Sequence, residues 1–263
     1  MSSEIPISLK AEPLFHIGSY TVNNSLLLAW VVIAVLAIAG FTYQKKWKLI
    51  PGKVQVVLEA VLEGVLELME SVLGNKVLAE KYLPFVATVF IFVMLSNWFG
   101  LLPLAALGVY IQEHGETLFV PLFRGPAADL NFTLALAILS VLATNVIGIA
   151  TIGFAKHVGK FFTLKDPISA FVGILEFVSE FAKMISFSFR LFGNVFAGEV
   201  LLIIVGFLVP YIVPLPFLFL EVFVGFIQAF IFAMLTTVFI AAATHDHDES
   251  EGHHAIDARA TIH

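Results

Sequence analysis

The sequence predicts an all-α integral membrane protein. It has five membrane-embedded helices and one amphipathic interfacial helix, and the last two embedded helices are long, tilted and joined as a hairpin. Three observations carry that reading. Of the 263 residues, 59% are hydrophobic and 13% are charged, with a mean hydropathy of +0.97; soluble domains are about 45–50% apolar and about 25% charged. Five stretches reach the length of about 20 mostly apolar residues that a hydrocarbon core of about 30 Å requires. Lysines gather on alternate connections between those stretches, as they do in chains that thread a membrane.

Residues 1–24 form an N-terminal segment expected outside the membrane. It carries one basic residue, Lys10, and two acids, Glu4 and Glu12, which is not the basic leader of a cleaved signal. The membrane domain covers 25–244. Its first span, 25–43, is followed by Lys45, Lys46 and Lys48, so it is expected to be retained. Residues 53–73 follow a different pattern. Val54, Val57, Leu58, Val61, Leu62, Val65, Leu66 and Met69 recur at helical spacing, and Glu59, Glu63, Glu67 and Glu70 occupy the other side. That is a helix lying in the interface. Its acidic face suits a protein partner better than anionic lipid.

The second and third spans are 82–104 and 130–154, and Asp129 is placed to cap the start of the third. The fourth apolar stretch, 168–209, would measure about 60 Å as one helix, twice the hydrocarbon thickness. It must tilt, break or run along the interface. A short link at 210–215 then leads into the fifth span, 216–243, so 168–243 is read as a hairpin. Residues 245–263, HDHDESEGHHAIDARATIH, read as a polar tail. Lys45, Lys46, Lys48, Lys53, Lys76, Lys81, Lys156, Lys160 and Lys165 fall on one side of this topology, and Lys10 and Arg124 on the other. The expected orientation is N-terminus outside and C-terminus cytoplasmic.

Composition also excludes functions. With no cysteine there is no disulfide or thiolate chemistry. A net charge of −6 and the lack of a basic patch argue against nucleic acid. No GxxxxGK[ST], GxGxxG or HExxH pattern is present, so no cofactor and no metal are expected.

The informative residue is Arg190, which lies inside the fourth apolar stretch. A charged side chain at mid-bilayer costs about 3 kcal/mol on insertion scales, and arginine stays protonated because its pKa exceeds about 12. At about 100° per residue, Glu176, Ser179, Lys183, Ser186 and Asn194 all fall within about 40° of Arg190. One polar face on an apolar helix meets protein or water rather than lipid. Glu199 falls roughly opposite Arg190. In the fifth span, Glu221 and Gln228 share one face, and the hairpin brings Glu199 and Glu221 to the same end. Two carboxylates in a low-dielectric place can exchange protons with water and with each other.

The run Arg190-Leu191-Phe192-Gly193-Asn194-Val195-Phe196-Ala197-Gly198-Glu199 closely resembles the signature of subunit a of rotary F-type ATP synthases. Gln228-Ala229-Phe230-Ile231-Phe232 resembles the matching segment of that family's last helix. Ser96-Asn97-Trp98-Phe99-Gly100-Leu101-Leu102-Pro103 and Ala128-Asp129-Leu130-Asn131-Phe132-Thr133-Leu134-Ala135 are similar to its earlier motifs. The resemblance implies the stator half of a proton turbine, non-catalytic on its own, in a bacterial plasma membrane. Its partners would be a ring of c subunits, each with one mid-membrane carboxylate, and peripheral-stalk b subunits, the latter possible at 53–73. By the same resemblance Arg190 faces the passing ring carboxylate. Glu199, Glu221, Asn194, Gln228 and Asp129 would belong to an outer half-channel, and Glu176, Ser179, Lys183 and Ser186 to a cytoplasmic one. Some relatives carry histidine where this chain has Glu221. H⁺ is the default ion. A stand-alone transporter would show internal repeats with broken helices, and none is visible. A bare assembly scaffold would need only a structural partner for Arg190.

Overall fold

A computed structural model describes residues 11–44, 52–102, 107–113, 116–154, 159, 167–210 and 212–244. The tail at 245–263 and Lys10, Lys45, Lys46, Lys48, Lys156, Lys160 and Lys165 lie outside the described residues. Six long helices follow one another: α1 (Asn24–Gln44), α2 (Lys53–Leu73), α3 (Lys76–Leu101), α4 (Leu130–Ile152), α5 (Pro167–Leu208) and α6 (Pro214–Thr244). All but α2 are long and apolar enough to cross a membrane. The protein is therefore an all-α, multi-pass membrane protein.

Helix starts are set by caps as much as by hydropathy. The second span begins at Lys76, ahead of the apolar stretch that starts at 82. Asn75 accepts the backbone N–H of Val77 at 2.9 Å and of Leu78 at 3.3 Å, which satisfies donors that the first helical turn leaves unpaired. Asp129 does the same for α4, accepting from the Asn131 N–H at 2.9 Å.

Two small antiparallel hairpins were not foreseen: β1 (Pro13–Ile17) with β2 (Tyr20–Asn23), and β3 (Gly108–Glu113) with β4 (Glu116–Pro121). Their short, mixed-polarity segments disappear in a hydropathy window sized for a span. Both sit at the end of the bundle where α1, α4 and α6 begin and α3 and α5 finish. That end is called the strand end below, and the opposite one the tail end.

α6 packs against α3 and α4, α5 packs against α4 and α6, and α1 packs on α3. Met69, Val86, Val93, Ala137, Leu191, Ala229 and Ile240 form the centre. Phe187 of α5 lies against Phe232 and Phe239 of α6, with ring centroids 4.7 and 5.0 Å apart. The amphipathic α2 docks on α3 and α6 through Val65, Met69 and Leu73, while Val54, Val56 and Val57 remain exposed. α5 runs as one unbroken helix of 42 residues, about 63 Å at 1.5 Å per residue. Such a rod fits a core of about 30 Å only when inclined or partly interfacial. One long face of it is uncovered: Phe171, Val172, Leu175, Val178, Ile185 and Phe189 are all exposed.

Candidate functional site

The neighbours of Arg190 decide where it points. Phe187 and Leu191 turn into the bundle and are 3% and 1% exposed, so the helical period carries Arg190 to the uncovered face. Ser179, Ser186 and Asn194 are exposed as well. Among the described residues Arg190 forms no ion pair. It borders Gln228 of α6, which shares a narrow crevice with it beside Leu191 and Phe232. Gln228 and Glu221 are each 8% exposed, on the common face expected of a seven-residue separation.

At the strand end the chemistry changes from one open cation to a set of paired groups. Glu199 turns away from the uncovered face toward Arg124, whose Nε lies 3.3 Å from its Oε1 and 3.4 Å from its Oε2. Arg124 Nη2 also donates to Oε2 at 3.4 Å. The arginine side chain is 8% exposed and the glutamate 32%. Both line a cavity of about 190 Å³ that reaches Asn97, Gly100 and Val195; its wall is mostly apolar, with Asn97, Arg124 and Glu199 as its polar side chains, and it has room for several waters. The loop enters this space through Gly125, whose Cα lies 2.9 Å from where a Cβ on Gly100 would stand. Buried Asn97 donates to the Gly225 carbonyl at 3.0 Å, and Trp98 Nε1 to that of Val222 at 3.0 Å, which ties α3 to α6 beside the cavity.

Glu221 reaches the same place from α6. Its carboxyl group occupies the space a side chain on Gly198 would fill, so a residue with no Cβ precedes Glu199. Asp129 uses both oxygens otherwise: Oδ1 caps α4, and Oδ2 accepts from the Ser25 hydroxyl at 2.6 Å. It ties α1 to α4.

Toward the tail end, Lys183 pairs with Glu180 at 2.6 Å, and Asn145 of α4 donates to the other oxygen of that carboxylate at 3.1 Å. The Lys183 ammonium lies 5.0 Å from the centre of the Phe239 ring, in cation–π range. Glu176 and Lys183 are half-buried, unlike the exposed serines of the stripe.

The structure thus places Glu199, Glu221 and Asn97 around one end, Arg190 with Asn194 and Gln228 in the middle, and Glu176, Ser179 and Lys183 toward the other end. Three charged residues gained a place that sequence reading had not assigned them. Arg124 entered only as a charge on the sparsely charged side, although a lone arginine between apolar residues and a Gly-Pro pair was a usable signal. Glu180 sits beside the stripe rather than on it, and its value depends on Asn145 from another helix. Glu12 lies in the N-terminal segment. Burial pushes its carboxyl above the usual carboxylate range, and the positive charge of Arg124 partly offsets that.

Residues 25–241 match the family model described as ATP synthase A chain. Several curated proteins named ATP synthase subunit a are similar over nearly the whole length. The one from Mycobacterium ulcerans is 37% identical over 240 residues, covering 89% of this chain and 91% of its own. The one from Campylobacter jejuni is 36% identical over 230 residues, 88% of each chain. The one from Moorella thermoacetica is 31% identical over 236 residues, 89% of this chain and 96% of its own. A membrane-spanning bundle with an unpaired arginine on its open face and carboxylates near one end is the form such a subunit takes here, and the chain belongs to the ATP synthase A chain family, whose members are the non-catalytic, proton-translocating membrane subunits of ATP synthase.

Proposed function

We propose that this protein is the stator wall of the proton path, and that two offset half-channels meet a rotating ring of carboxylate-bearing subunits along the uncovered face of α5. The observation that carries this reading is Arg190, exposed on that face and without an ion-pair partner among the described residues. A cation in an apolar slab needs a counter-charge, and a passing ring carboxylate supplies one. Arginine fits the role because its charge persists and its fork donates two parallel hydrogen bonds to a carboxylate.

The strand end faces outside, and the tail end faces the cytoplasm, in a bacterial plasma membrane. Protons enter through the cavity of Arg124 and Glu199 and pass along Glu221, Asn194 and Gln228 to a ring carboxylate. Asp129 supports this entrance through its tie to Ser25. After rotation, protons leave past Ser186, Lys183, Ser179 and Glu176. Arg190 stands between the two paths. It favours the ionised carboxylate and repels a proton that would cross directly, so flow requires rotation. Each proton falling through about 100 mV releases about 2.3 kcal/mol. The acidic face of α2, with Glu59, Glu63 and Glu67, is offered to the peripheral stalk.

The test is Arg190→Ala in the intact ATP synthase reconstituted in vesicles. ATP-driven proton pumping should fall to background, while the variant still co-purifies with the ring. Normal pumping by that variant refutes the mechanism.

A further inference from the structure

Arg124 pairs with Glu199, and a second carboxylate, Glu12, feels its charge. Its contacts to Glu199, at 3.3 to 3.4 Å, are longer than the roughly 2.7–2.9 Å of a tight charge-assisted bond. The pair is therefore loose and open to competition. A second acid is at hand. Glu12 lies within electrostatic range of Arg124, and its Oε2 is buried without a hydrogen-bond partner. A buried carboxylate oxygen with no donor is costly, and the guanidinium is a five-donor group. Glu12 is held in place by its own backbone, since its carbonyl accepts the Asn24 N–H at 3.1 Å. It directly precedes the β1–β2 hairpin, which leads into α1. Asn24 also donates to the Pro121 carbonyl at 3.4 Å, which ties this segment to the chain that leads to Arg124.

We propose that Arg124 is a positioning residue for Glu199, and that Glu12 competes for it, so that the N-terminal segment sets how firmly the entrance carboxylate is held. This rests on the reading of Glu199 as an entrance group. Among the described residues, Glu12 from the N-terminal segment and Glu199 from α5 are the acids that bear on the arginine. Glu221 of α6 lies just beyond, over Gly198, and Asp129 is occupied by its cap and Ser25. When Glu12 is ionised it draws Arg124 toward itself. When Glu12 takes up a proton, Arg124 is released to Glu199. Burial raises the Glu12 carboxyl above its usual range, so this exchange occurs at a higher pH than a free carboxylate would allow. While Glu199 is ionised, protonation of Glu12 tightens the Arg124–Glu199 pair, and ionisation of Glu12 loosens it.

The experiment uses the whole ATP synthase in vesicles, with ATP synthesis driven by a potassium potential while the pH on the strand-end side is varied. Glu12→Gln mimics the protonated acid at every pH. It should exceed the unsubstituted enzyme by about fivefold at neutral pH and converge with it on the acid side. Arg124→Gln should slow synthesis by at least about tenfold, and Arg124→Lys should restore most of the rate, because a cation suffices to hold the carboxylate. Parallel pH profiles for Glu12→Gln and the unsubstituted enzyme overturn the proposal, as does a lysine variant no better than glutamine. Glu199→Gln separates the two levels. Normal synthesis in that variant overturns the entrance reading itself, whereas its loss together with an unshifted Glu12→Gln profile overturns only the sharing of Arg124.

Discussion

Arg124 and Arg190 are both cations in an apolar protein, and the fold treats them in opposite ways. Arg124 is taken into the strand end, 8% exposed, against Glu199. Arg190 stands on the uncovered face of α5, and no carboxylate of the described chain answers it. A cation paired inside the chain holds another group in position. A cation left open in a membrane protein requires a partner from elsewhere. The same 42-residue helix carries both situations, because Glu199 lies half a helical turn round from Arg190. One face of α5 packs into the interior of this subunit, and the other is left uncovered.

The comparison can be broken most directly at Arg190. Arg190→Ala should reduce coupled ATP synthesis by more than about 100-fold, since it removes both counter-charge and barrier. It should lower the melting temperature of the purified complex less than Arg124→Ala does, since Arg190 has no ion-pair partner among the described residues of this chain. Thermal unfolding and synthesis measured on one preparation check both parts. Arg124→Ala should show the reverse balance. It leaves the half-buried Glu199 carboxylate without its cation, a loss of about 1–3 kcal/mol, visible as a lower melting temperature. Equal melting temperatures for the two alanine variants would show that the fold does not treat the two cations differently.

Gly198→Ala sharpens the strand-end side. The added methyl group meets the Glu221 carboxyl, so the acid must move, and proton pumping should drop by about tenfold from misplacement alone. Glu221→Asp in the same chain shortens the acid by one methylene and should recover part of the loss. The smallest effect is expected at the tail end. Glu180→Gln removes the partner of Lys183 but keeps a hydrogen-bond acceptor for Asn145. The pair is partly exposed, so pumping should change by no more than about twofold.

Much of the fold was legible because a bilayer imposes one dominant rule. Any chain that crosses it must satisfy its backbone internally over about 20 apolar residues. The spans therefore appear in plain hydropathy, and the continuous polar stripe around Arg190 appears in the helical period. The hairpins β1–β2 and β3–β4 were not legible, because short strands of mixed polarity obey no such rule. The early start of α3 was missed for a related reason: Asn75 acts through two hydrogen bonds, not through hydropathy. Within the site, Arg190, Asn194 and Gln228 could be placed by period alone. Arg124, Glu12 and Glu180 could not, since each matters through residues distant in the chain. Glu199 is 75 positions from Arg124, and Asn145 is 35 from Glu180.

By itself the sequence determined that this is a membrane bundle, which helix carries the permanent charge, and which side chains share its face. Those are consequences of local composition and of a helix repeating every 3.6 residues or so. Only the tertiary structure decided which charges are answered within the chain. Packing buries Phe187 and Leu191 and so turns Arg190 outward. The closure of the strand end brings Arg124 against Glu199 and within the electrostatic range of Glu12. Electrostatic pairing depends on distance through space, and in a bundle that distance is set by which helices touch.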